Sequence, residues 1–268
     1  MTSPRDEPSI KLAGQIFIEE SRRAIDALKW CVTPIFDVND RGEAELLGSA
    51  VLIALVGSVF LCTAKHVIDA NVSSTLYIDA PTELDVLAGD FQTSEQHDIA
   101  VLKLSPGQVA LFQKYSPLRA DDIGNQAQAE ACKYVEFIGF PASKNRKVYK
   151  RNQIAGLLHS NGCTVIEITP ARVRVSFNRK RNIDSETRRR VTAPDPHGMS
   201  GGAMFGVQVN AATIAGKPQP KLIGLSTDCP DPNEVFGANF AVVMAVIRDA
   251  YNVVLPIRLN PTNIWKTP

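Results

Sequence analysis

The sequence predicts an all-β chain of two six-stranded antiparallel β-barrels, with a helix at each end. Three observations predict it. Short apolar stretches rich in β-branched residues recur at close intervals from Cys31 to Val243. A polar connection, SPLRADDIGNQAQAE at about 116–130, divides them into two groups. Helical periodicity is confined to the two ends.

Residues 9–30, SIKLAGQIFIEESRRAIDALKW, place Ile10, Ala13, Phe17, Ala24, Ile25 and Leu28 on one helical face, with most charges elsewhere. This is a packing helix or a docking helix, and residues 1–30 form the N-terminal helical segment. The first barrel, 31–120, is expected from CVTPIFDV, AELLGSAVLIAL, SVFLCTAKHVI, STLYIDA, LDVLAGD and IAVLKL, separated by NDRGE, VG and SEQH. The second, 121–247, is expected from KYVEFIGFP, KVYKRNQIAGLLH, TVIEITP, ARVRVSFNRK, AMFGVQV, KLIGLSTD and FGANFAVV. A last helix, VVMAVIRDAYN, runs into 248–268, the helix end and tail. No repeat at a fixed period is evident.

Bulk composition excludes several classes. A chain of 268 residues with 44% hydrophobic and 21% charged residues is an ordinary folded protein. Lys+Arg 29 against Asp+Glu 28 is nearly neutral, so charge gives no argument for a nucleic-acid or membrane partner. The longest apolar run, SAVLIALVGSVFLCTA, is broken by glycine and serine and reads as two strands joined by a turn rather than a membrane span. Five cysteines without paired spacing argue against a disulfide framework and a zinc site, and favour a reducing compartment. The N-terminus does not read as a secretory signal. A cytoplasmic protein without metal or cofactor is expected.

The chemistry concentrates in APDPHGMSGGAMFG, residues 193–206, where Ser200 stands in the frame Gly-x-Ser-Gly-Gly. This is a tight turn, or a backbone stripped of side chains so that something can approach it. A serine nucleophile needs a base, usually histidine. The chain has four: His66, His97, His159 and His197. His66, in FLCTAKHVID, ends an apolar strand where the chain turns, which suits either presentation at a cleft or a partly buried strand-end histidine. His197 is too near Ser200 along one short loop to aim at it, although it can shape the rim. His159 reads as a turn residue. A working imidazole also needs an acceptor for its second nitrogen. Asp98, at the entry of the strand IAVLKL, serves as that acceptor or as a strand cap; Asp69 and Asp79 are alternatives with weaker context. Gly198 would let its own N–H and that of Ser200 point into one spot where a negative oxygen develops. Gly201 and Gly202 would let the chain and a substrate pass closely.

TAKHV, HDIAVLKL and HGMSGG, in that order, resemble the His, Asp and Ser motifs of the trypsin/chymotrypsin-like serine protease superfamily. GSAVLIAL, FIGFP, KLIGLSTD and GANFAVV resemble its flanking strands, and the likeness runs over residues 31–247, closest to the bacterial HtrA-like or glutamyl-endopeptidase-like branch without a PDZ domain. The resemblance implies a cleft between two barrels in which His66 is the general base, Asp98 orients it, Ser200 attacks, and Gly198 and Ser200 donate the oxyanion N–H groups. It implies a serine endopeptidase working on polypeptides through an acyl-enzyme. The alternative is a latent module on the same scaffold that binds peptides as a sensor or adaptor. Met199 stands where digestive members carry the aspartate that pairs with a freshly cut N-terminus. Val67 and Pro196 stand where those members have cysteines.

Two features lie beyond the motifs. The loop RVRVSFNRKRNIDSETRRRVTAP carries Arg172, Arg174, Arg179, Lys180, Arg181, Arg188, Arg189 and Arg190, with Asp184 and Glu186 near its middle. It reads as a solvated hairpin with a charged tip, then as a docking surface for an acidic protein partner or a self-cleavage site; nucleic-acid binding comes last. Pro194, six before Ser200, stands where trypsin's preference for basic residues is set. Thr227 and Ala238 are expected to line the primary pocket and select small or medium apolar residues, unless Asp195 or Asp228 overturns that.

Overall fold

The computed structural model describes residues 19–39, 44–71, 75–79, 84–145, 157–183, 189–208 and 218–255. Expectations for residues 9–18, most of the strand 147–159, the loop tip with Asp184, Glu186 and Arg188, and the tail 256–268 fall outside them.

The first group of strands comprises β1 (Val32–Val38), β2 (Ala44–Leu55), β3 (Ser58–Ala64), β4 (Tyr77–Asp79), β5 (Leu84–Val86), β6 (Gln92–Ser94), β7 (Ile99–Lys103) and β8 (Leu118–Arg119). They form one sheet in the order β5-β4-β1-β2-β3-β7-β6, with β8 parallel to β2. The second group comprises β9 (Cys132–Gly139), β10 (His159–Ile168), β11 (Arg172–Ser176), the loop pair β12 (Asn182–Ile183) and β13 (Arg190–Val191), β14 (Ala203–Gln208), β15 (Lys221–Asp231) and β16 (Glu234–Asn239). Six of these close into an antiparallel barrel, β10-β11-β16-β15-β14-β9. The helices are α1 (19–28), α2 (Lys65–Asp69), α3 (Pro106–Leu111), α4 (Gln126–Glu130), α5 (Ala142–Asn145) and α6 (Phe240–Tyr251).

Two strands of the first sheet, β6 and β8, were not anticipated. They are three and two residues long and polar or mixed, so apolar periodicity has nothing to register. Two further differences have local causes. His159 opens β10 opposite Gly139 and is not a turn residue. The last strand stops at Asn239, whose side chain accepts a hydrogen bond from Ala241 N at 3.0 Å and so starts α6 at Phe240.

Alternation along the strands builds three cores. Ile35, Ala50, Leu52, Leu61 and Leu102 point into the first sheet's own interior. Val135, Phe137, Val173, Val175, Met204 and Val235 fill the closed barrel. Between them lies a third layer: Val51, Ile53 and Phe60 from one side, Ile138, Phe205 and Val207 from the other. AVLIAL, residues 50–55, is therefore apolar without interruption because both faces of β2 are covered. Helix α6 buries Phe240, Val243, Met244 and Ile247, one face at helical spacing, in that same layer. From α1, Ile25 joins it.

Candidate active site

The apolar run of β3 ends at Ala64, and the chain turns at once into α2, which carries His66 as its second residue. Asp98 ends a 3-10 turn (Glu95–His97) in the left-handed region, at φ 53° and ψ 48°, a conformation aspartate tolerates better than most residues. That reversal turns the carboxylate back onto α2. Lys65 N donates to Asp98 O at 3.0 Å and His66 N donates to Asp98 Oδ1 at 2.9 Å. His66 Nδ1 lies 2.7 Å from Asp98 Oδ2. With Nδ1–H donated to the carboxylate, Nε2 is the free acceptor of the neutral ring. The hydrogen bond and charge of Asp98, with smaller contributions from Asp228 and Asp69, hold the imidazole pKa above its ordinary value, against the opposing effect of burial. The alternatives to Asp98 are occupied elsewhere: Asp69 pairs with Lys65, and the buried Asp79 with Lys114 at 2.6 Å.

Ser200 sits in a turn that both strand groups hold. Met199 N donates to Pro196 O at 2.8 Å, Gly201 N to Ser226 O at 2.7 Å and Gly202 N to Met199 O at 2.9 Å. Gly198 and Gly201 have φ of +88° and +81°, which a side chain would strain. A Cβ at Gly201 would lie 2.0 Å from Ser49 O, and one at Gly202 would lie 2.2 Å from Ile138 O. The close approach these two glycines permit is thus that of the protein's own β2 and β9, as expected for the chain. Met199 is fully buried in the closed barrel, and Ser226 Oγ donates to its carbonyl at 2.8 Å. The turn is anchored by apolar burial and neutral hydrogen bonds, with no ion pair at this position.

His66, Asp98 and Ser200 line one cleft of about 1070 Å³. Among the hydrogen bonds of the described residues, none joins Ser200 Oγ to His66. Thr227 and Ala238 line the same cleft, as expected, together with Gly237, Asp195 and Asp228. Pro194 is buried and does not line it; Asp195 does. His97 and His197 stand on its wall, and burial and the charge of Arg172 lower the pKa of His97.

Sequence reasoning did not anticipate three residues here. Arg179, assigned only to the basic loop, reaches into the cleft, donating to Asp195 Oδ2 at 2.9 Å and to Ala193 O at 3.3 Å. Cys229 also lines the cleft; although it is exposed, partial desolvation there and the carboxylates of Asp228 and Asp195 raise its thiol pKa. Ser49 makes buried bonds to the Ser200 turn; a lone hydroxyl inside an apolar strand was the available signal. Among the described residues, no cluster of His, Cys, Asp or Glu is arranged to hold a metal ion.

The chain is thus a closed six-stranded antiparallel barrel packed on a second β-sheet; the sheet group carries His66 and Asp98, the barrel group carries the Ser200 turn, and this all-β architecture fits a chymotrypsin-like double barrel. No protein-family model matches the chain, and no curated protein matches it in sequence. Among solved structures it is similar to a thermostable serine protease, AL20, from an extremophilic microorganism, at 17% identity and a TM-score of 0.49, covering 84% of this chain and 98% of that one. It is also similar to the MamO protease domain from Magnetospirillum magneticum, at 14% identity and a TM-score of 0.47, covering 81% and 96% respectively.

Proposed function

We propose that the chain is a serine endopeptidase that cleaves polypeptides through an acyl-enzyme on Ser200. The observation that carries this reading is the 2.7 Å contact between His66 Nδ1 and Asp98 Oδ2, formed in the cleft that Ser200 also lines. In the proposed cycle Nε2 of His66 takes the Ser200 proton as Oγ attacks the peptide carbonyl, and Asp98 stabilises the imidazolium. The N–H groups of Gly198 and Ser200 hold the developing oxyanion. His66 then returns the proton to the leaving amine, and water releases the acyl group by the same steps.

Thr227, Gly237 and Ala238 in the cleft favour cleavage after small or medium apolar residues; Asp195 is matched by Arg179, and the Asp228 carboxylate accepts from Cys229 N at 2.7 Å. The five unpaired thiols suit a reducing, cytoplasmic setting. The exposed Lys180, Arg189 and Arg190 suit an acidic protein partner at the 172–190 loop. One observation favours the alternative, a latent peptide-binding module: no hydrogen bond joins Ser200 Oγ to His66 in this structure. Enzymes also tighten that bond only on binding substrate.

Labelling with a fluorophosphonate probe, alongside hydrolysis of denatured casein, separates the two. The wild type is expected to take the label and cut, and Ser200→Ala to do neither. A wild type that binds peptide but resists the probe at every pH from acid to alkaline would identify the latent module.

A further inference from the structure

We propose that Ser49, a residue of the opposite strand group, is the positioning residue that keeps the Gly198 and Ser200 N–H groups aimed at the substrate oxygen. The inference rests on Ser200 being the nucleophile. Ser49 is fully buried in β2, and its three polar groups make four hydrogen bonds. Its Oγ donates to Gly198 O at 3.0 Å and accepts from Phe140 N, just past β9, at 2.9 Å. Its N donates to Ser200 O at 2.8 Å, and its O accepts from Thr63 Oγ1 at 2.7 Å. One residue thus holds the peptide planes that directly follow both oxyanion donors, while Ser226 Oγ holds Met199 O, the carbonyl of the plane that bears Ser200 N–H.

The peptide planes around Gly198 explain why that matters. The His197–Gly198 peptide is trans, and Ala142 N holds its carbonyl at 2.8 Å, so Gly198 N–H points the opposite way. The next peptide is held at both ends, its carbonyl by Ser49 Oγ and its N–H by Pro196 O. Gly198, with its freedom at positive φ, is the joint between these planes. Without the Ser49 hydroxyl, Gly198 O loses its partner and the plane is held at its N–H end alone, next to a glycine, the residue least able to resist its rotation. Pre-aimed donors lower the barrier only while they stay aimed.

The test is Ser49→Ala with a chromogenic peptide substrate and the matching peptide aldehyde, whose hemiacetal oxygen occupies the oxyanion position. The expected result is a fall in kcat of about ten- to a hundredfold, KM within about twofold, and aldehyde affinity weakened in step with kcat. Ser49→Thr, which keeps the hydroxyl, is expected to recover most of kcat. Thr63→Val removes only the donor to Ser49 O at nearly constant volume, and serves as a second variant should Ser49→Ala fold poorly; a smaller loss of the same type is expected. A folded Ser49→Ala, or in its place Thr63→Val, with wild-type kcat and aldehyde affinity overturns the assignment of Ser49. So does a loss shared equally by kcat and substrate binding. A wild type that takes no fluorophosphonate label would instead overturn the protease reading on which this one stands.

Discussion

The contact between His66 and Asp98 makes a pH prediction with a definite sign. The proposed cycle needs the neutral imidazole, and Asp98 holds the His66 pKa above its usual 6.5. The acid limb of kcat/KM is therefore expected above pH 6.5. Asp98→Asn removes the largest cause of the upward shift, so the limb should move to lower pH while kcat falls about 10²–10⁴-fold. A pH–rate profile of both proteins measures this; a limb that stays put would mean another group titrates. The same pair adds stability that is complete below the unfolded pKa and fades as pH rises through the higher folded one. At Gly201 the geometry is less forgiving. Ala at φ +81°, with its Cβ against Ser49 O and Thr63 Oγ1, should cost about 2–5 kcal/mol. Urea unfolding would read the cost.

At the scale of elements, the basic loop and the cleft turn out to be connected. Arg179 belongs by sequence to a run of cations that reads as a solvated hairpin, yet it lines the cleft and pairs there with Asp195 in a partly exposed contact of 2.9 Å. Arg179→Ala would expose an unmatched carboxylate beside Thr227 and Ala238. The expected outcome is a shift of cleavage preference toward Lys or Arg of about fivefold, read from a peptide-library profile. Charge patterning could not have assigned this arginine, because its partner lies 16 residues further along and the pair forms only once β12 and β13 close the loop between them. The same limit hid β6, β8 and the short helix bearing His66: each is a few residues long and held in place by neighbours. The long apolar strands and α6 were legible because burial writes its period into them.

For the whole molecule, the layer between the two strand groups is the element on which the site depends, since His66 and Ser200 are carried from opposite sides of it. Phe240, fully buried there from α6, is its largest contribution from that helix. Phe240→Ala is expected to cost about 3–5 kcal/mol and to lower activity as the two groups loosen. Calorimetry on the variant and wild type would measure the loss. Alternating apolar strands, a helix at the end and the candidates His66, Asp98, Gly198 and Ser200 could be named from the sequence alone. They are local properties: side-chain period, turn chemistry and residue type. Which aspartate faced the histidine, that Arg179 enters the cleft, and that Ser49 braces the serine turn were decided only by tertiary structure. Each joins atoms that are distant along the chain, and hydrogen bonding between such groups leaves no periodic mark in the sequence; it exists only once burial has brought them together.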